Sequence, residues 1–164
     1  MIWSFEKLVA AQKDLDQKFF KKSNHTYTST TAYRQMALSV EICEWANEIR
    51  FFKFWSNKAM SDHTVVLDEL ADVLHFALTF IIQYDGQTTF DVNPPQLVVS
   101  KQQTTTLFQE LLQLSLRIND GPSANQFMYK LLELAVYLGF NQEQIIEAYF
   151  AKSEVNTQRS NSNY

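Results

Sequence analysis

The chain has 164 residues, a formal net charge of −4, and a composition that is 46% hydrophobic and 14% aromatic. That size and apolar content suit a single domain, and the acidic balance argues against a non-specific nucleic-acid binder, which needs basic surface to displace counterions. Three glycines and three prolines are too few to punctuate the turns of a β-sandwich or a doubly wound sheet, so the expected fold class is all-α, a bundle of about six helices.

Phe5, Leu8, Gln12, Leu15 and Phe19 recur at steps of three and four, which predicts a first helix from about Ser4 to Phe20 with one polar member, Gln12, on its apolar stripe. Ser23 to Thr31 has a loop composition whose hydroxyls offer N-caps. A second helix is expected from Ala32 to Arg50, then an aromatic and basic connector over residues 51–58. Ser61 and Asp62 cap a third helix that carries Leu67, Leu70, Leu74, Ala77, Leu78 and Ile81 inward. From Tyr84 to Gln103 the period is lost, and Asp85-Gly86 and Pro94-Pro95 mark residues 85–103 as a surface loop or insertion. Thr104 to Asn119 reads as a fourth helix. Ser123 and Gln126 form a capping box for a fifth that ends at Gly139, and Asn141 caps a sixth that runs to about Ser153. Residues 154–164 read as a mobile polar tail, and one domain spans residues 1–164.

Cys43 is the only cysteine, which excludes an intrachain disulfide and leads to the expectation of a reducing, cytoplasmic setting. The opening segment lacks the pattern of a signal peptide. The most apolar run, Val73 to Ile82, is interrupted by His75 and falls far short of the ~20 residues that cross a bilayer, so no membrane partner is expected.

The chemistry is concentrated in acids. Glu41 and Glu44 lie three apart on the second helix with Glu48 four further on, so all three fall within roughly 60° of one another. Glu69 and Asp72 repeat the spacing on the third helix. One ExxE is ordinarily a solvated helix face. Two such pairs set among core-facing residues, and brought opposite each other by a helix–turn–helix, are costly unless something neutralises them. Hard oxygen ligands point to Mg²⁺, with Mn²⁺ as the alternative.

Glu41-Ile-Cys-Glu44 and Glu69-Leu-Ala-Asp72 resemble the ExxE and ExxD signature of the all-α NTP pyrophosphohydrolases, the superfamily of dimeric dUTPases and MazG-like enzymes. Glu44-Trp-Ala-Asn-Glu48-Ile-Arg50, Lys53-Phe-Trp55 and Asp68-Glu-Leu-Ala-Asp-Val-Leu-His-Phe76 are similar to the dimeric dUTPase branch, often met in phages and Gram-positive bacteria. The C-terminal Lys152, Asn156, Arg159 and Tyr164 resemble that branch's last motif. The resemblance covers the first helix through Tyr84 and the sixth helix onward.

It implies a homodimer that hydrolyses dUTP to dUMP and pyrophosphate, with dUDP as a second substrate, and Glu41, Glu44, Glu69 and Asp72 as metal ligands. Glu41 or Glu44 would also orient or deprotonate the attacking water, and Glu48 would be an auxiliary acid. Lys152 and Arg159 would neutralise phosphates, although the same residues also suit a basic helix C-terminus. Gln12 would read the uracil edge, unless it only pairs with another core group. Asp16, one turn later, departs from the amide expected there. Trp55 and Phe76 are candidates for packing against base or deoxyribose, with simple core packing as the alternative. Lys53, Asn156 and Tyr164 complete the implied substrate set.

Three rival readings remain open: a broader or dCTP-directed MazG-like enzyme, a di-iron bundle suggested by His75 three residues after Asp72, and a non-catalytic helical adaptor. The iron reading lacks a second acid-x-x-His pair, because Lys22 and Met60 stand three residues before His25 and His63.

Overall fold

The computed structural model describes residues 1–93 and 99–161. Six helices dominate it: α1 (Glu6–Ser23), α2 (Thr31–Ile49), α3 (His63–Gln83), α4 (Lys101–Ser115), α5 (Gly121–Tyr137) and α6 (Gln142–Asn161). The all-α expectation holds, with α3 at the centre, packed on α1, α2, α5 and α6. The reason is visible in its sequence. Val66, Leu70, Val73, Leu74, Ala77, Leu78, Phe80 and Ile81 leave little of the helix polar, and all are buried, as a helix surrounded by others requires.

α2 and α3 run antiparallel. At one end the Ser61 amide donates to the Glu48 carbonyl (2.9 Å), and at the other Arg34 on α2 donates to Thr79 on α3 (2.8 Å). Arg50 ends α2 in the left-handed region (φ 64°) and its amide returns to Ala46. The connector beyond it docks through Phe51, stacked on Phe108 of α4 at 4.6 Å, with Trp45 against the same ring at 4.8 Å.

The chain departs from the expected pattern in four places. A two-stranded antiparallel ribbon joins β1 (Ile2–Ser4) to β2 (Thr89–Asp91) in the register Trp3 to Phe90, inside the segment read as a surface loop. Each strand has three residues, too few for a period-two signal, but Trp3, Phe5, Phe90 and Val92 are all buried and pin the segment to the core. α4 starts and ends earlier than expected, because the Ser100 hydroxyl caps it by accepting from the Gln103 amide (3.1 Å).

α5 is capped by Asp120 rather than Ser123. Asp120 Oδ1 accepts the Ser123 amide (2.8 Å) and the Ser123 hydroxyl accepts the Asp120 amide (3.1 Å), with Pro122 in the first turn. This is a capping box one turn earlier than the one read from Ser123 and Gln126. The residues read as a mobile tail continue α6 to Asn161. Between α5 and α6, Gly139 adopts φ 94°, a conformation that a side chain resists.

Asn141 caps α6 as expected. Its Oδ1 accepts the Gln144 amide (3.0 Å), and Gln144 Oε1 accepts the Asn141 amide (3.0 Å). Asn141→Ala removes that reciprocal pair and is expected to lower stability by about 1 kcal/mol, measured as a shifted urea midpoint at unchanged slope. No shift would mean that packing alone sets the start of α6.

Candidate active site

Antiparallel packing of α2 and α3 brings the acids together. Glu41, Glu69 and Asp72 each offer a carboxylate oxygen, and these lie within 4.8 Å of one another, every side chain half-buried. Glu44 stands beside this triplet and acts on it through its charge. Burial first, then the charges of Asp72, Glu44 and Glu69, push the Glu41 carboxyl up to about 7. Burial, followed by Asp72 and Glu44, raises Glu69 as well. Burial also raises Asp72, against the pull of Lys152. Lys152 on α6 bonds to Asp72 (2.6 Å) and Asp68 (2.7 Å), and the Arg159 charge also draws Asp72 down. A compact set of hard oxygen donors with surplus negative charge fits a divalent ion such as Mg²⁺ or Mn²⁺.

Glu48 lies apart. Its carboxylate accepts the Ser61 hydroxyl while its carbonyl takes the Ser61 amide, so it fastens the connector to α2.

The triplet opens onto a cavity of about 430 Å³ between α1, α2, α3 and α6, with Glu41 and Asp72 on its wall. Of the residues named from sequence, Gln12, Asp16, Phe76, Asn156 and Arg159 also line it. Asn156 and Arg159 share a face of α6 with Lys152. A larger groove of about 690 Å³ lies elsewhere, between β1 and the α5–α6 turn, but it is walled by Ile2, Trp3, Phe140 and Ile146 and holds none of the acid triplet.

Lys53 and Trp55 are not brought to the cavity. Lys53 Nζ donates to Asn47 (2.6 Å) and lies 5.6 Å over the Phe52 ring. Trp55 is 67% exposed, its ring perpendicular to that of Phe54 at 5.0 Å. The expectation that Trp55 packs on a base is therefore not met within one chain: the connector docks through Phe51 and turns Trp55 outward. Tyr164 lies outside the described residues.

Sequence reasoning missed Arg34. It occupies the buried stripe of α2 four residues before Leu38, an apolar position by period, just as Gln12 does on α1. Its guanidinium donates to the Thr30 hydroxyl (3.0 Å), Thr79 (2.8 Å), the Tyr27 carbonyl (2.6 Å) and Gln83, and packs on the Phe80 ring at 4.7 Å. It also draws down Asp16, whose carboxyl burial pushes up to about 6 despite hydrogen bonds from Gln12 and Tyr27. His75 is neutral at pH 7, since burial pushes it down to about 4. Its Nδ1 meets Gln12 Oε1 at 2.6 Å and its ring stacks on Tyr149 at 4.3 Å. That accounts for the histidine as a core polar group.

Glu41 and Asp16 both hold protons more tightly folded than unfolded. The sign is therefore that of raised acids: their contribution to stability is full below about pH 4 and is lost as pH climbs through about 6 and 7. With divalent ions chelated, the melting temperature is expected to fall between pH 5 and 7.5. Glu41→Gln should flatten part of that fall, and Mg²⁺ should recover more stability at pH 7.5 than at pH 5. A level wild-type profile would mean that the acids are not crowded in solution.

A family model described as dUTPase matches residues 4–164 of the chain. Among curated proteins none matches it. Among the described residues no helix is long and apolar enough to cross a membrane.

Proposed function

The chain belongs to the all-α dimeric dUTPase family and hydrolyses dUTP as a pyrophosphohydrolase; on that premise we propose that Glu41, Glu44, Glu69 and Asp72 form its metal centre and that the adjoining cavity takes the nucleoside. The observation that carries this reading is the half-buried triplet of Glu41, Glu69 and Asp72, of which Glu41 and Asp72 line a cavity that Gln12 and Asp16 also line.

The Glu41, Glu69 and Asp72 oxygens, with Glu44 beside them, would hold Mg²⁺ or Mn²⁺. When bound, such an ion neutralises phosphate charge and acidifies water. The chain's own residues do the rest. A Glu41 or Glu44 carboxylate oxygen orients the attacking water and receives its proton. Lys152 and Arg159, with Asn156 between them on the same face of α6, meet the phosphates as negative charge builds on the departing pyrophosphate. Phe76, half-buried on the cavity wall, packs against the sugar and excludes a 2′-hydroxyl that would find no partner. Gln12 reads the base, and dUDP is a second substrate because it keeps the same base, sugar and α-phosphate. A reducing, cytoplasmic setting suits the lone exposed Cys43.

The assembly we propose is a homodimer joined through α2. Tyr33, Met36 and Val40 recur at helical spacing and are 73%, 65% and 44% exposed, an apolar stripe of the kind that marks an interface. Met36→Lys is expected to shift the sedimentation coefficient from dimer to monomer; an unchanged dimer would place the interface elsewhere.

A panel of deoxy- and ribonucleotides with Mg²⁺, monitored for pyrophosphate, tests the reading as a whole. dUTP should be turned over in preference to dCTP and UTP, and Glu69→Gln should lower kcat by at least roughly a hundredfold at unchanged helicity. A fully active Glu69→Gln protein would remove that residue from the metal centre.

A further inference from the structure

The β1–β2 ribbon leaves one edge of β1 unused. In an antiparallel ladder the backbone groups of successive residues point alternately to one side and the other. The Phe5 amide donates to the Thr88 carbonyl (2.8 Å) and the Val92 amide to the Met1 carbonyl (2.8 Å). Met1, Trp3 and Phe5 therefore face β2, and the amides and carbonyls of Ile2 and Ser4 face away from it. Gln142 Nε2, at the start of α6, donates to the Ser4 carbonyl at 3.4 Å, which sets this outer edge toward the α5–α6 turn. The groove of about 690 Å³ occupies the space between the two.

An unpaired strand edge recruits other strands and is ordinarily guarded by charge, proline or a covering element. Ile2-Trp3-Ser4 carries neither charge nor proline, and Ile2 is 75% exposed. Phe140 and Ile146 give the groove an apolar floor, and Gly139 leaves open space where a side chain would stand. The rim is acidic. Glu143 and Glu147, about one turn apart on α6 and both exposed, line it, and among the described residues of the lining there is no lysine or arginine. The Met1 ammonium is taken up by Asp91 (3.0 Å) and the Val92 carbonyl (2.9 Å).

We propose that this groove docks an extended segment of a partner protein in which apolar and basic residues alternate, added to β1 as a third strand. The backbone of the segment meets the outward amides and carbonyls of Ile2 and Ser4. Its side chains point to opposite faces in turn, so the apolar set lies on Phe140 and Ile146 while the lysines or arginines reach Glu143 and Glu147. A second copy of this chain suits the groove less well. Pairing β1 with β1 would gather Glu143 and Glu147 of both copies along one seam, and like charges at an interface oppose association. The groove holds none of the acid triplet, so docking there is independent of the metal centre.

The probe is a capped, fluorescein-labelled peptide alternating valine and lysine, titrated with the intact protein in saturating Mg²⁺ and read by fluorescence anisotropy. It should bind with a micromolar Kd that weakens as salt is raised, whereas the same peptide with glutamate in place of lysine should not bind. Reversing both rim charges, Glu143→Lys with Glu147→Lys, should weaken binding by about tenfold. Ile2→Pro removes one outward N–H and leaves the β1–β2 ladder whole, and should weaken binding about fivefold. Both variants should hydrolyse dUTP at the wild-type rate.

Equal binding of the two peptides, or wild-type affinity in the charge-reversed protein, overturns the proposal. So does an oligomer that Ile2→Pro breaks and Met36→Lys does not, since that places a second copy in the groove. Where Ile2→Pro loosens the ribbon, hydrogen exchange at the Ser4 amide of the wild type, followed by NMR, decides the matter. The lysine peptide should slow that exchange, and an unaltered rate means that no strand is added.

Discussion

Electrostatic repulsion between two helices is the constraint around which the molecule is built. α2 and α3 each carry acids three residues apart, and antiparallel packing sets them within 4.8 Å across the interface. In a free helix such pairs would cost a few tenths of a kcal/mol. Between half-buried helices, desolvation raises the penalty further, and the Glu41, Glu69 and Asp72 carboxyls all respond by holding their protons more tightly. The surrounding apolar packing of α3 against four neighbours holds the acids there nonetheless. A stable core that keeps like charges close leaves a standing demand for cations, which Lys152 answers at short range.

A second theme is the use of apolar stripe positions for polar groups. Gln12 on α1, Arg34 on α2 and His75 on α3 each stand where helical period calls for a hydrophobic residue, and each is buried with named partners. Such groups weaken a core unless every donor finds an acceptor. Here they converge on one cavity. The polar network and the acid triplet thus share a floor, with Asp72 and His75 one turn apart on α3.

Much of this was legible in the sequence, for physical reasons. Long amphipathic periods announce helices, so α1, α2, α3 and α5 could be placed within a few residues, and the i, i+3 spacing of Glu41/Glu44 and Glu69/Asp72 follows directly from the pitch. The β1–β2 ribbon could not be read, because its strands are three residues long and 85 residues apart in sequence, paired through the burial of Trp3 and Phe90 rather than by any local pattern. The polar composition beyond Ser153 suggested a tail, yet α6 continues because one of its faces is occupied by Lys152, Asn156 and Arg159 against the acids and the cavity. Arg34 escaped notice for a different reason. A single basic residue in a helix is unremarkable until Thr30, Thr79 and Gln83 are seen around it, and two of those lie on another helix.

The unbroken run of α6 has one more consequence. Tyr149 sits in the core beside His75, Lys152 reaches Asp72, and Arg159 borders the cavity, all on a single rod. Inserting or deleting one residue between Tyr149 and Lys152 would turn everything beyond it by about 100° and carry both cations off the acidic helices. Drift in this segment should therefore take the form of exchanged side chains at constant length, while the connector between α2 and α3, with its outward aromatics, is free to vary in length.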